Sequence, residues 1–167
     1  MKYIPSIIIS FSTLLLTLPA YACSCAFSER SFIQLTQRSE LVIRGKVLDY
    51  NWNKGDTEHK IRPNAMIVEV KEVYKGAIKP VQLIVWGDNG MQCRPYVTQF
   101  PVGTEWILSL SKDSWAKTRE LAISGCGEYW LQVKDGDVVG KVRDGRFKAK
   151  PEVMSLPNFR KLLRAAS

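Results

Sequence analysis

The sequence predicts a mainly β fold: a small closed antiparallel barrel of five strands, with a short N-terminal helix, a C-terminal β-meander and a terminal helix. Three observations carry that reading. Apolar and charged residues alternate with period two through Ile67-Val-Glu-Val-Lys-Glu-Val73, the mark of a half-buried strand. Turn signals at Lys75-Gly76, Gly87-Asp-Asn-Gly90, Asp135-Gly136 and Asp144-Gly145 divide the chain into strand-sized runs. Five strands with a helix fit a barrel of the oligonucleotide/oligosaccharide-binding (OB) type.

The elements follow in order. Residues 1–22 read as an export signal rather than as fold: Lys2 is a short basic start, Ile7 to Leu18 is apolar and hydroxylic, and Ala20-Tyr21-Ala22 is a small-x-small cleavage site. The apolar run is too short to span a bilayer, and no later stretch approaches membrane length. The expected product is secreted or periplasmic and begins at Cys23. A lipid-anchored form at Cys23 is the alternative, opposed by the bulky Tyr21 close before the cut. Ser28 to Arg38 reads as a short helix with Phe32 and Leu35 on one side and a serine to cap it. Leu41 to Tyr50 reads as the first strand, with Gly45 marking a bulge or bend. Asn51 to Asn64 is a polar loop, Ala65 to Tyr74 the second strand, Val81 to Trp86 the third, Trp106 to Leu110 the fourth and Glu120 to Ser124 the fifth. Two Asp-Gly turns then separate Tyr129 to Lys134, Val138 to Val142 and Arg146 to Ala149 as a meander. Ser155 is placed to cap a last helix with Pro157 in its first turn, an apolar face of Leu156, Phe159, Leu162 and Leu163, and Arg160, Lys161 and Arg164 turned to solvent. The expected organisation is a signal over 1–22, a barrel domain over 23–130, and a hairpin and helix over 131–167 packed on the same domain.

Composition narrows the function. Over 167 residues, 46% hydrophobic and 24% charged content excludes collagen-like, mucin-like and wholly disordered chains. The lone His59 excludes most multi-histidine metal centres, and no Gly-x-Ser-x-Gly or His-Glu-x-x-His motif occurs. Asp135 and Asp137 belong to turn chemistry, so no enzyme and no resident cofactor or metal is expected. The 24 Lys+Arg against 16 Asp+Glu give a net charge of +8, which favours anionic partners. Trp86, Trp106 and Trp130 fall in strand patterns and read as core; Trp52 and Trp115 fall in loops.

Cys23, Cys25, Cys93 and Cys126 permit three pairings in an oxidising compartment. A direct Cys23–Cys25 bridge would close a strained ring, which favours two long bridges that hold the N-terminus.

The Cys23-Ser-Cys25 start behind a signal cut, the strand Glu40-Leu-Val-Ile-Arg-Gly-Lys-Val47, the strand end Tyr74-Lys-Gly76 and the later Cys93 and Cys126 together resemble the N-terminal, netrin-like domain of the tissue inhibitors of metalloproteinases. The resemblance runs from Cys23 to about Trp130. It implies bridges Cys23–Cys93 and Cys25–Cys126, and a secreted inhibitor in which the amine and carbonyl of Cys23 chelate the catalytic zinc of a target protease. It further implies protease contacts from Ser24, Cys25, Ala26 and Phe27, with Asn89, Gly90, Met91 and Gln92 forming the rest of the ridge. Zinc is then contacted only within the target. Three departures stand out: Gln37 replaces the first cysteine of the family's third bridge, Ala26-Phe27 replaces its usual small or branched residue and proline, and the meander and basic helix have no counterpart in it. The alternative expectation is a basic OB-type module for an anionic polymer, an envelope surface or a protein partner.

Overall fold

The computed structural model describes Cys25 and residues 29–51, 63–88, 92–112 and 120–166. Five strands close the expected barrel: β1 (Leu41–Asn51), β2 (Ala65–Lys75), β3 (Gln82–Trp86), β4 (Glu105–Lys112) and β5 (Leu121–Ala122). All neighbours run antiparallel except β3 and β5, which are parallel, and the β1–β4 pairing completes the ring. Period-two alternation sends Leu41, Ile43, Val47, Met66, Val68, Leu83, Val85, Leu108 and Leu110 into one interior, with Val47 opposite Val68 and Ile43 opposite Leu108. Phe100 plugs this interior edge-on against Trp106 and Trp130, at centroid distances of 4.9 and 5.8 Å, and both tryptophans are half-buried against the core. Trp86 is half-buried, whereas Trp52 and Trp115 lie outside the described residues.

Gly45 is the bend that the sequence predicts. The β1–β2 register slips between Arg44 and Gly45, and a Cβ at Gly45 would lie 2.3 Å from Val68 Cγ1. Only glycine lets the two strands approach this closely where the barrel curves.

β1 and β4 are buried on both faces. Their alternate residues Val42 and Ile107 point out of the barrel into a second core with Phe32, Leu131, Val138, Val142, Leu156, Phe159 and Leu163. Three further strands and two helices supply those partners: β6 (Trp130–Lys134), β7 (Asp137–Gly140), β8 (Glu152–Ser155), α1 (Phe32–Thr36) and α2 (Leu156–Ala166). β6 pairs with Glu105 to Leu108 of β4, while Ser111 and Lys112 of β4 pair with β5, so one edge of β4 is divided between them. Residues 131–166 thus share a sheet and a core with the barrel.

Four local expectations are corrected. The first helix is only the turn Phe32–Thr36, and its cap is Ser31: the Ser31 hydroxyl accepts from Gln34 N while Gln34 Oε1 accepts from Ser31 N at 3.0 Å. A helix this short is marginal alone, and it is held by Phe32 N and Ile33 N donating to the carbonyls of Lys141 and Val142 at 3.1 and 3.2 Å. The third meander strand is Glu152–Ser155, not Arg146–Ala149, because Asp144 accepts from Arg146 N and binds its guanidinium, folding that stretch into a turn. Ser155 ends that strand and directly precedes α2, which begins at Leu156 as the sequence reading has it. β5 is confined to Leu121–Ala122 within the expected Glu120 to Ser124.

The fourth correction concerns Arg160, which is not turned to solvent. Its guanidinium grips Glu72 of β2 with two 2.8 Å hydrogen bonds. Arg44 approaches the same carboxylate at 3.5 Å, and the Tyr74 hydroxyl donates to it at 3.2 Å. The Arg160 hydrogen bonds hold the Glu72 carboxyl below the ordinary carboxylate range, whereas burial and then the neighbouring Glu72 charge push the Tyr74 hydroxyl up to about 12. Beneath this clasp Phe159 packs between Phe32 and Tyr74, at 5.9 and 5.7 Å between ring centroids.

Candidate functional site

The cysteines gather three backbone segments at one end of the barrel. The first follows β3. Gly87 N donates to Asn64 O at 2.9 Å and Asp88 N to Pro95 O at 3.0 Å, so the chain leaves β3, makes an excursion and returns on itself. A Cβ at Gly87 would lie 2.5 Å from Pro95 O and 2.7 Å from Val97 Cγ1, which is why glycine closes the base. The Asp88 carboxylate accepts from Gln92 N at 2.9 Å across the loop, an Asx-type brace that satisfies a backbone donor without a strand partner.

The second segment leaves β5. Ile123 N donates to Trp86 O at 3.1 Å, continuing the β3 contact, and Gly125 N donates to Cys93 O at 2.8 Å. A Cβ at Gly125 would lie 2.9 Å from that same oxygen and 3.2 Å from Arg94 Cα, so the two backbones run in direct contact. Cys126 follows, with its N–H donating to Ser124 Oγ at 3.2 Å.

Cys25 supplies the third segment. It is bridged to Cys126 with 5.0 Å between Cα atoms, across a sequence separation of 101 residues. Cys93 is also disulfide-bonded. Cys25, Gln92, Cys93 and Cys126 thus meet at one end, all half-buried. The other expected contacts (Cys23, Ser24, Ala26, Phe27, Asn89, Gly90 and Met91) lie outside the described residues, as does the far end of a Cys23–Cys93 bridge. The sequence reading omitted Gly87, Asp88 and Gly125 as site-forming residues. The Gly-Asp-Asn-Gly turn signal and the glycine directly before Cys126 were the available signs of them.

Burial raises the Tyr129 hydroxyl pKa, against a hydrogen bond with Ser124 and the positive charges of Arg38 and Arg30. No group of three or more His, Cys, Asp or Glu residues able to hold a metal occurs among the described residues. No protein-family model matches the chain, and no curated protein matches it significantly. Among the described residues no helix is long and apolar enough to cross a membrane. Disulfides persist in oxidising compartments, and the Cys25–Cys126 bridge is consistent with one.

Proposed function

We propose that the protein inhibits a zinc metalloprotease by presenting its N-terminus as a chelating wedge. The observation that carries this reading is the Cys25–Cys126 bridge seated where Cys93 O accepts from Gly125 N, which ties Cys25 to the backbone at Cys93. Cys23 is two residues upstream of that anchor. A catalytic zinc keeps one coordination position open for water or substrate. The α-amine and carbonyl oxygen of Cys23 would enter there as a five-membered chelate, with Ser24 directed into the pocket beyond the scissile position and Gln92 on the second limb of the ridge. Anchoring the limbs before association lowers the ordering cost of binding, which is how a narrow wedge binds tightly. In this reading the chain has no catalytic residue, and zinc belongs to the target.

The test is a comparison of the processed chain with a form carrying one extra alanine before Cys23, assayed against a panel of zinc endopeptidases. Inhibition by the processed chain should disappear in the extended form while the thermal unfolding curve is unchanged. Equal inhibition by both forms removes the chelate. Only the neutral amine binds metal, and an ordinary α-amino pKa is about 7.7 to 8.0. Inhibition should therefore tighten as pH rises from about 6 to about 8, measured with a protease stable over that range; a flat profile argues against amine ligation.

A further inference from the structure

The loop between β7 and β8 has a property that inhibition does not use. Residues 141–150, Lys-Val-Arg-Asp-Gly-Arg-Phe-Lys-Ala-Lys, hold five cations and one anion. At its tip Phe147 is 85% exposed between Arg146 and Lys148, which are exposed as well. A large aromatic side chain left in water forgoes the burial that phenylalanine normally gains.

The exposure is built rather than incidental. Val142 is fully buried in the second core and anchors one end of the loop. Gly145 lies so closely against the backbone of Arg30 and Ser31 that only glycine fits there, which pins the middle of the loop to the barrel side. The Arg146 guanidinium forms a bidentate pair with Asp144, at 3.0 and 2.6 Å, and Ala149 N donates to Arg146 O at 2.9 Å. Arg143 N and Nε both donate to the Glu152 carboxylate at 2.6 Å, fixing the outgoing limb to β8 beside Val153, itself 66% exposed. Lys141 Nζ stands 5.9 Å from the Phe147 ring centroid. A braced turn thus holds one aromatic ring outward within a ring of positive charge.

We infer that this loop docks the protein onto an anionic lipid surface, with Phe147 entering the headgroup–acyl boundary and Lys141, Arg146, Lys148 and Lys150 lying over the anionic headgroups. Charge complementarity selects the partner class, because basic side chains beside an anionic leaflet are attracted within a Debye length of it. The shape selects a bilayer over a soluble polyanion. A single aromatic at the crest of a convex turn suits insertion into an interface, whereas single-stranded polymers call for stacking platforms along a groove. The inference is independent of the zinc-chelating reading.

The experiment is co-sedimentation of the full chain, without its export segment, with phosphatidylglycerol/phosphatidylcholine vesicles and with phosphatidylcholine vesicles. Binding is expected to the anionic vesicles only. Phe147→Ala should weaken it by about tenfold or more, the value of withdrawing one phenylalanine from an apolar environment, and Phe147→Trp should retain it. The pair Lys148→Glu and Lys150→Glu should abolish it, as should high salt. Thermal unfolding of each variant checks the fold, which these exposed positions leave intact. Equal binding by Phe147→Ala and the parent overturns insertion. Failure to bind anionic vesicles, or binding to dextran sulfate in their place, overturns the lipid surface altogether.

Discussion

The two flanks of the barrel are held by different physics. At the cysteine end, Cys25, Gln92, Cys93, Gly125 and Cys126 are at most half-buried, and order comes from a covalent bridge and backbone hydrogen bonds between loops. On the opposite arrangement of layers, where α1, α2 and the meander cover β1 and β4, order comes from Phe32, Ile107, Phe159 and Leu163, all fully or nearly fully buried, with the Arg160–Glu72 pair on top. The difference shows what each flank is free to do. A flank built by burial must hide its side chains, whereas one built by bonds between backbones leaves more of its side chains at the surface.

Variants can break this contrast in descending order of effect. Replacing Cys25 and Cys126 together by serine removes the closure of a loop spanning 101 residues and should cost about 4 kcal/mol in the chain-entropy account, measured by denaturant unfolding without reductant. A loss under about 1 kcal/mol would mean that packing holds this end after all. Phe159→Ala should cost about 3 kcal/mol, the usual range for emptying a buried aromatic site. Hydrogen exchange should then show α2 and β8 opening before β1, since the barrel interior keeps its own core. Simultaneous opening of both cores would erase the distinction between them.

The smallest effect is expected from the clasp. Arg160→Met should shift the denaturant midpoint only slightly, because the pair is partly exposed and solvent screens it. Its pH signature is more specific. Glu72 has its folded pKa depressed, so its contribution is fully present above the unfolded carboxylate value and is lost as pH falls through the folded one. Glu72→Gln should therefore lower the neutral plateau of a stability–pH curve while leaving its acid end nearly unchanged, which flattens the acid limb. An unchanged acid limb would assign acid sensitivity to other carboxylates.

The readable parts of this fold are those in which local pattern and tertiary demand agree. Val68, Val70 and their charged neighbours alternate because one side of β2 faces the core, and Gly45 is glycine because Val68 leaves no room for a side chain. The capping box at Ser31 and Gln34 was also written locally, although the helix reading began earlier in the chain. β8 was not readable. Glu152-Val-Met-Ser155 becomes a strand by pairing with β7, while Arg146 to Ala149 has as good an alternation and is folded over by Asp144. Nothing local reveals that Arg160 meets a carboxylate 88 residues away. At the cysteine end, spacing alone left three pairings open, and the Cys25–Cys126 bridge is the one that folding made visible among the described residues.

The divided edge of β4 also limits how this chain can change. β5 and β6 are two stretches of one passage along the same neighbour, each fixed in register, Ala122 against Ser111 and Trp130 against Leu108. Between them the chain must detour far enough to bring Cys126 to Cys25 and return in phase. Adding or deleting a residue there would slide one stretch by a position and exchange its inward and outward side chains. Residues 123–129 therefore behave as a spacer of fixed length, closed to insertion and, at Gly125 and Cys126, to substitution as well, and the position of Cys25 is measured out by it.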